Sequence, residues 1–180
     1  MNLPNKLTIF RICLIPPFLV FLYWSFGHGA NNWVATAIFI LASLTDMLDG
    51  HIARKYGLIT NFGKFMDPLA DKLLVDSALI ALCELGRIPG WIVIIIIGRE
   101  FIISGFRLVA SDKGNVIAAS WLGKAKTICQ MIATILLIIN FKNTTMHVIT
   151  AIFVYAALIL TVVSLADYML KNKGVLSDIK

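Results

Sequence analysis

Four aspartates stand close together in a chain that is otherwise poor in acidic residues. The sequence has 10 Asp and Glu residues among 180, and Asp46, Asp49, Asp67 and Asp71 lie in one short stretch of it. Carboxylates in such a cluster cannot all remain ionised without a cation. Hard oxygen ligands with no His or Cys among them favour Mg²⁺, Mn²⁺ or Ca²⁺ over zinc. The residue types therefore predict a divalent-metal site.

The spacing of the aspartates predicts two antiparallel helices that face each other. Residues three or four apart share one face of a helix, and the polar residues 55–61 form a short connection. Asp49 and Asp67 then lie at one depth, and Asp46 and Asp71 share a deeper level. The two tiers would be about 4 to 6 Å apart, which allows two metal ions. Three small residues on the same faces leave room for a ligand: Gly50, Ala53 and Gly63.

The composition predicts the kind of protein that positions these helices. The chain is 59% hydrophobic, with a mean hydropathy of +0.86 and a formal net charge of +6. Because this is too apolar for a soluble domain, we expect an all-α, polytopic integral membrane protein with a single membrane domain over residues 1–180. The length allows about six transmembrane helices. We place them at residues 7–26, 33–56, 62–85, 91–110, 116–140 and 146–170. No stretch combines clustered basic residues with aromatic residues, so we expect no nucleic-acid partner.

The distribution of basic residues predicts the orientation in the membrane. Six spans place both termini on one side, and only Arg87 and Lys142 fall on the other. The basic residues on the side of the termini are Lys6, Arg54, Lys55, Lys64, Lys113, Lys124, Lys126, Lys171, Lys173 and Lys180. The positive-inside rule therefore puts the termini and a cavity lined by the aspartates in the cytoplasm. A bacterial inner membrane fits this compact chain.

Eight positions of the aspartate stretch match a known signature. They fit the pattern D-x2-D-G-x2-A-R-x8-G-x3-D-x3-D and are Asp46, Asp49, Gly50, Ala53, Arg54, Gly63, Asp67 and Asp71. This pattern resembles the signature of the CDP-alcohol phosphotransferases, which are integral membrane enzymes of phospholipid synthesis. The resemblance extends across most of the chain.

The resemblance implies a role for each signature residue. It implies a CDP-alcohol as donor, CMP as leaving group, and Mg²⁺ or Mn²⁺, as two ions, held by the four aspartates. Asp71 would also be the general base that takes a proton from the acceptor hydroxyl. Four residues would shape the CMP pocket: Gly50, Ala53, Arg54 and Gly63. Relatives of this kind are homodimers, so the resemblance implies a homodimer as well.

The start of the chain extends the resemblance. The segment NLPNKLTIFRICLIPP is similar to the beginning of the bacterial phosphatidylglycerophosphate synthases within this family. That similarity implies that Asn5, Thr8 and Arg11 lie near the nucleotide or its phosphates. An arginine so close to an apolar span needs either the headgroup region or an anionic partner. Snorkelling to the membrane interface is therefore the alternative explanation for Arg11.

Three basic residues near the predicted site indicate the acceptor. Arg107, Lys124 and Lys126 suit a phosphorylated acceptor and make little sense for choline. The segments GREFIISGFRLVA and GKAKT also resemble phosphatidylglycerophosphate synthases. We therefore expect CDP-diacylglycerol and sn-glycerol 3-phosphate to give phosphatidylglycerophosphate and CMP. The alternative for the two lysines is a role as ordinary positive-inside residues.

Two further charges lie in the middle of the fourth predicted span. An isolated charge at the bilayer centre costs roughly 2.5 to 3.5 kcal/mol on insertion scales. Arg99 and Glu100 should therefore face the protein interior or a wet cavity. Arg99 and Lys64 could add to the acceptor-binding cations, whereas the alternative is a structural network of Arg99 with Glu100.

Other functions remain as alternatives at this point. Another acceptor in the same family, such as inositol phosphate, serine or phosphatidylglycerol, would use the same metal site. A divalent-cation transporter would need acidic residues along a whole path, but the outer halves of the helices contain only Glu84. The aspartates could also be solvated surface charges, although four at facing positions with small residues between them argue against this.

Overall fold

A computed structural model describes residues 3–24, 29–56, 61–112 and 120–171. The described residues form six helices, and this confirms the prediction of an all-α fold. The helices are α1 (Leu3–Tyr23), α2 (Gly29–Tyr56), α3 (Asn61–Glu84), α4 (Gly90–Asp112), α5 (Trp121–Ile139) and α6 (Thr144–Lys171). Within them, the structure describes the backbone but not the side chains of residues 3–5, 29–30, 46–56, 61–68, 71 and 109–112.

The start of α5 shows why the sequence placed it imprecisely. We predicted a helix from residue 116; residues 116–119 lie outside the described residues, Ser120 is not helical, and α5 begins at Trp121. Ser120 precedes this first turn, and its Oγ accepts a hydrogen bond of 3.1 Å from the N–H of Gly123. A serine at this position satisfies one of the donors that a helix leaves unpaired at its amino end. The boundary is therefore fixed by a cap, which hydrophobic periodicity does not reveal.

Three of the described helices are long and apolar enough to cross a membrane. These stretches are Lys6–Tyr23, Trp121–Ile139 and Thr144–Lys171, and α2 contributes a shorter apolar stretch, Asn31–Thr45. Helices of this length and composition indicate a membrane protein. The prediction of six spans with cytoplasmic termini stays a prediction, as does the single domain over residues 1–180.

The chain divides into two compact units. The first comprises Met1–Arg87 with Thr134–Asn140, and the second comprises Ile88–Ala133 with Phe141–Lys180. The helix α5 therefore belongs to both units, its amino-terminal part to the second and its carboxyl-terminal part to the first.

In the first unit α1 packs against both α2 and α3, and α2 also contacts α3. The rings of Phe18 and Phe39 meet at a centroid distance of 5.7 Å and are fully buried. Small buried residues of α2 and α3 allow helices to approach closely, as is usual in helical membrane proteins. These buried alanines are Ala35, Ala42, Ala78 and Ala81.

The end of α3 sets the position of Arg87. Gly86 has a φ of 70°, a left-handed conformation that favours glycine. Its N–H bonds to the carbonyl of Cys83 and the N–H of Arg87 bonds to the carbonyl of Leu82, each at 2.9 Å. This pair of bonds is the Schellman motif. It ends α3 and directs the chain through Arg87.

Arg87 then caps the carboxyl end of α5 together with Asn32. Arg87 Nη1 donates to the carbonyls of Leu137 and Ile138 at 3.2 and 2.9 Å. Asn32 Nδ2 donates to the carbonyl of Ile139 at 3.1 Å. The remaining carbonyl, that of Leu136, accepts the N–H of Asn140 at 3.0 Å. All four carbonyls that a helix leaves open at its end are thus satisfied. We call Arg87 and Asn32 the α5 end clamp.

In the second unit α4 packs against α6. The buried face of α6 follows a spacing of three and four residues, which is one stripe of a helix. Its members are Val154, Ala157, Thr161, Ser164 and Tyr168. The Tyr168 ring meets the ring of Phe106 from α4 edge to face, with centroids 6.4 Å apart. This packing holds the part of α4 that carries the charged residues.

Candidate active site

The aspartate stretch lies on two helices that contact each other. Asp46 and Asp49 belong to the last part of α2, and Asp67 and Asp71 to the first part of α3. The prediction that the two pairs lie on neighbouring helices with a short connection is therefore confirmed. The side chains of the four aspartates lie outside the described residues, as do those of Gly50, Ala53, Arg54 and Gly63. Their arrangement around a metal stays a prediction.

No other metal cluster competes with the aspartates in the described part of the chain. Among the side chains that the structure describes, no group of three or more His, Cys, Asp or Glu residues could hold an ion. The assignment of a divalent cation to the four carboxylates stays a prediction from the sequence.

The amino-terminal residues predicted to lie near the nucleotide are buried on α1. Thr8 and Arg11 are both 0% exposed, and each interacts with another group of the protein. The Arg11 guanidinium is thus inside the first unit and does not lie on the outer surface of the helix, where snorkelling would place it. The side chain of Asn5 lies outside the described residues.

Asp76 is a buried carboxylate in the outer half of the predicted span 62–85, where only Glu84 was expected. It lies on α3 and is 9% exposed. Its helix packs against α1, which carries the buried Arg11. The signal was present in the sequence, because Asp76 follows Asp71 by five residues and is surrounded by apolar residues. A charged residue in such surroundings requires a polar or charged environment.

The three basic residues predicted to bind the acceptor phosphate have two kinds of surroundings. Arg107 on α4 and Lys124 on α5 are exposed. Lys126 is 1% exposed, and its Nζ lies 2.5 Å from Glu100 Oε1. The structure therefore presents two of the cations at the surface of the second unit and buries the third in an ion pair.

Arg99 and Glu100 connect α4 to different neighbours. Arg99 Nη2 donates to Ser164 Oγ of α6 at 3.1 Å, whereas Glu100 binds Lys126 of α5. Both charges are thus engaged inside the second unit, as the cost of an isolated charge in a membrane requires. Within the described part of the chain, Arg99 Nε is buried and has no hydrogen-bond partner.

Arg87 is the charged residue whose role the sequence analysis missed most clearly. It was noted only as a basic residue on the outer side of the membrane, whereas it is the main part of the α5 end clamp. Burial lowers the pKa of Arg87, but a guanidinium titrates so far above neutrality that it remains charged. The carbonyls that it binds are 50 and 51 residues away in the sequence, and Asn32, whose Oδ1 also accepts from it, is 55 residues away, so no local pattern indicates these partners.

Comparison with known proteins tests the resemblance on which the site assignment depends. Residues 1–163 match the family model described as CDP-alcohol phosphatidyltransferase. The chain belongs to this family. The match includes α1 to α5 and the whole aspartate stretch, so the recognition made from eight signature positions is confirmed.

Individual members of the CDP-alcohol phosphatidyltransferase family are similar over almost the full chain. A protein of Bacillus subtilis (strain 168) named CDP-diacylglycerol–glycerol-3-phosphate 3-phosphatidyltransferase is 44% identical, and the alignment covers 95% of each chain. A protein of Haemophilus influenzae (strain ATCC 51907 / DSM 11121 / KW20 / Rd) with the same name is 41% identical over 98% of this chain and 96% of its own. A probable phosphatidylglycerophosphate synthase of Mycobacterium tuberculosis (strain CDC 1551 / Oshkosh) is 43% identical over 93% of this chain and 80% of its own.

Proposed function

We propose that this member of the CDP-alcohol phosphatidyltransferase family transfers the phosphatidyl group of CDP-diacylglycerol to sn-glycerol 3-phosphate. The products are phosphatidylglycerophosphate and CMP. The observation that carries the proposal is the eight-position aspartate signature, which lies within the family match over residues 1–163. The names of the similar proteins from three bacteria support the choice of acceptor.

The four aspartates fit a divalent metal by the chemistry of their donors. Carboxylate oxygens are the ligands that Mg²⁺ and Mn²⁺ prefer, and the pairs lie on helices that contact each other. We assign the holding of two such ions to Asp46, Asp49, Asp67 and Asp71. When bound, the metal would neutralise charge on the diphosphate and on the leaving phosphate.

The reaction requires one proton transfer and one exchange of bonds at phosphorus. The acceptor hydroxyl oxygen forms a bond to the phosphatidyl phosphorus, and the bond from that phosphorus to the oxygen bridging to CMP breaks. CMP leaves with the electron pair. Asp71 takes the hydroxyl proton, the role that the family resemblance gives it, and it must lie within hydrogen-bond reach of the hydroxyl to do so.

The remaining signature residues form the donor pocket in this proposal. Gly50, Ala53 and Gly63 have small side chains that leave space for CMP, and Arg54 supplies a positive charge beside it. Asn5, Thr8 and Arg11 on α1 contribute to nucleotide or phosphate binding. The burial of Arg11 at 0% exposure supports a role inside the protein, because a buried guanidinium requires polar or anionic partners.

Exposed cations of the second unit bind the acceptor phosphate in this proposal. Arg107 and Lys124 are exposed and carry charge suited to a phosphate, and Arg99 Nε is a further donor. Lys126 lies buried in its ion pair with Glu100, so it does not present an exposed charge to the phosphate. A phosphorylated acceptor explains this excess of positive charge better than serine does.

We also propose a cytoplasmic orientation in the inner membrane. The positive-inside distribution supports it, and exposed tryptophans near helix ends are typical of a membrane interface. These are Trp24 just after α1, Trp33 near the start of α2, Trp91 near the start of α4 and Trp121 at the start of α5. The family resemblance further implies a homodimer, which a mass measurement of the protein in detergent would test.

The function is tested by CMP release from purified protein in detergent with CDP-diacylglycerol and Mg²⁺ or Mn²⁺. Each acceptor is supplied in turn, and Asp71→Asn is assayed beside the wild type. We expect release with sn-glycerol 3-phosphate and a loss of at least about a hundredfold in the variant, typical of removing a general base. Activity with inositol phosphate, serine or phosphatidylglycerol alone would keep the metal site and reject the acceptor. Metal uptake into proteoliposomes without CMP release would favour the transporter.

A further inference from the structure

Lys126 differs from the other two predicted phosphate ligands in what surrounds it. Arg107 and Lys124 are exposed, whereas the Lys126 side chain is 1% exposed and its partner Glu100 is 13% exposed. The separation of 2.5 Å between Lys126 Nζ and Glu100 Oε1 is that of a direct ion pair. A cation in this setting is neutralised by the protein itself. The Lys126 ammonium has three N–H donors, and it makes a further interaction inside the protein besides the pair with the partly buried Glu100.

The ion pair joins two helices of the second unit through side chains. In the described residues of this unit, the helices in extensive backbone contact are α4 and α6. The helix α4 reaches α5 through Glu100, which binds Lys126, and through Arg99, which lies over Gly123. A Cβ added to Gly123 would be 3.4 Å from Arg99 Nη2. The amino-terminal part of α5 is therefore placed against α4 by a few polar contacts.

The same two helices carry the exposed cations of the proposed acceptor site. Arg107 follows Glu100 by seven residues on α4, which is about two turns and leaves both on one side of the helix. Lys124 precedes Lys126 by two residues on α5, which turns it away from the ion pair. Any shift of α5 relative to α4 would change the separation of Arg107 and Lys124.

We propose that the Glu100–Lys126 ion pair is a positioning element for the acceptor phosphate. It fixes the amino end of α5 against α4 so that Arg107 and Lys124 keep the spacing that phosphate binding requires. Lys126 acts through Glu100 and does not touch the phosphate. The inference rests on the proposed function, because it concerns the acceptor of that reaction.

A mutant cycle in steady-state kinetics tests this assignment. The variants are Glu100→Gln, Lys126→Met and the double variant, with Lys124→Met and Lys124→Met/Glu100→Gln as the matched set for a direct ligand. Because a displaced binding group lowers affinity steeply, each single change in the ion pair should raise the KM for sn-glycerol 3-phosphate by about tenfold. The KM for CDP-diacylglycerol should stay within about twofold, since the ion pair would then affect only acceptor binding.

The double variant distinguishes the two roles of Lys126. If Lys126 acts only through Glu100, the double variant should be no worse than either single one, whereas the effect of Lys124→Met should multiply with that of Glu100→Gln. Multiplying effects for Lys126→Met and Glu100→Gln would overturn the proposal and make Lys126 a direct ligand. Lowered stability with an unchanged acceptor KM would also overturn it, because the pair would then be merely structural.

A charge exchange keeps the test decisive if a single buried charge prevents folding. Glu100→Lys/Lys126→Glu retains an ion pair between the two positions, while it removes the carboxylate that interacts with Arg99. We expect it to bring the acceptor KM to within about threefold of the wild type, since close charge pairs couple mainly to each other. A direct ligand at position 126 would instead make this variant the worst binder, because a carboxylate would then repel the phosphate. No CMP release by the wild type would reject the proposed function itself, whereas wild-type activity with multiplying effects rejects only the positioning role.

Discussion

The two parts of α5 are held in different ways. In the first unit the α5 end clamp bonds to backbone carbonyls, with Arg87 and Asn32 as donors. In the second unit the side chain of Lys126 is paired with the side chain of Glu100. Backbone carbonyls are present whatever the sequence of α5, whereas an ion pair depends on two particular residues. The clamp therefore requires few specific residues on α5 itself, and the ion pair makes the placement of its amino end dependent on sequence.

This difference corresponds to the proposed roles of the two regions. The clamp lies on the predicted outer side of the membrane, away from the aspartates, and we expect it to affect stability alone. The ion pair lies on helices that carry cations of the proposed acceptor site, and we expect it to affect both stability and acceptor binding. The following variants separate these effects, beginning with the largest expected loss of stability.

Glu100→Ala should cause the largest loss of stability. It removes the carboxylate that neutralises Lys126, which is 1% exposed, and breaking a buried pair from one side costs about 3 kcal/mol or more. Unfolding by SDS in mixed micelles measures the change. The exposed pair of Lys171 with Asp167, whose side chains are 68% and 23% exposed, provides the control, and Asp167→Ala should cost less than about 0.5 kcal/mol. Equal losses in both variants would show that Lys126 does not depend on Glu100 in its buried position.

Arg87→Ala should cause the next largest loss while leaving catalysis intact. It removes two hydrogen bonds from a charged donor to the carbonyls of Leu137 and Ile138. Such bonds contribute about 1.5 to 3 kcal/mol in total when a buried acceptor is left open. We expect a loss of about 2 kcal/mol in the same unfolding assay, with kcat/KM for CMP release unchanged at a temperature where the variant is folded.

Arg87→Lys is the control for charge at this position. Nη1 of the arginine reaches both carbonyls while Nη2 reaches Asn32 Oδ1 at 3.4 Å. Lysine retains the charge but has a single nitrogen in place of this planar pair, so it should recover less than half of the stability. Full recovery would mean that the charge, through its interaction with the carboxyl end of α5, matters more than the hydrogen bonds. A fall in kcat/KM without loss of stability would show that the α5 end clamp affects catalysis, contrary to the expectation that it affects stability alone.

Asn32→Ala should weaken the same clamp by a smaller amount. Asn32 is 6% exposed and supplies the bond to the carbonyl of Ile139, so its loss should cost about 1 kcal/mol. The neighbouring Asn31 also donates to a carbonyl, that of Trp24, but at an exposed position. Asn31→Ala should therefore have little effect in the unfolding assay. A larger loss for Asn31 than for Asn32 would contradict the view that burial makes the clamp important.

The sequence predicted the helices well because their signals are local. Apolar stretches separated by short polar connections placed six helices, and the structure describes helices at these six positions. The family could also be recognised from the sequence, because its signature is contained in the 26 residues from Asp46 to Asp71. The prediction that these residues hold metals stays a prediction, since the side chains of the four aspartates lie outside the described residues.

The sequence could not predict contacts that join distant segments. Arg87 and its carbonyl partners are separated by 50 and 51 residues, and Glu100 and Lys126 by 26 residues. Nothing in the local pattern distinguishes Lys126, which is buried, from Lys124, which is exposed. The packing of α5 in the second unit makes one lysine a partner of Glu100 and leaves the other exposed.

Ser120→Ala should cause the smallest loss of stability. This variant tests the amino end of α5. The change removes the hydroxyl that accepts the N–H of Gly123 at 3.1 Å, and the loss of such a cap costs about 0.5 to 1 kcal/mol. Ser120→Asp should restore the stability, because aspartate caps equally well and its charge favours the amino end of a helix. If the ion pair positions this part of α5, a frayed first turn should raise the KM for sn-glycerol 3-phosphate slightly in Ser120→Ala and more strongly when Lys126→Met is added. A cap variant that loses stability but leaves the acceptor KM unchanged in both backgrounds would show that the first turn of the helix has no part in placing Lys124.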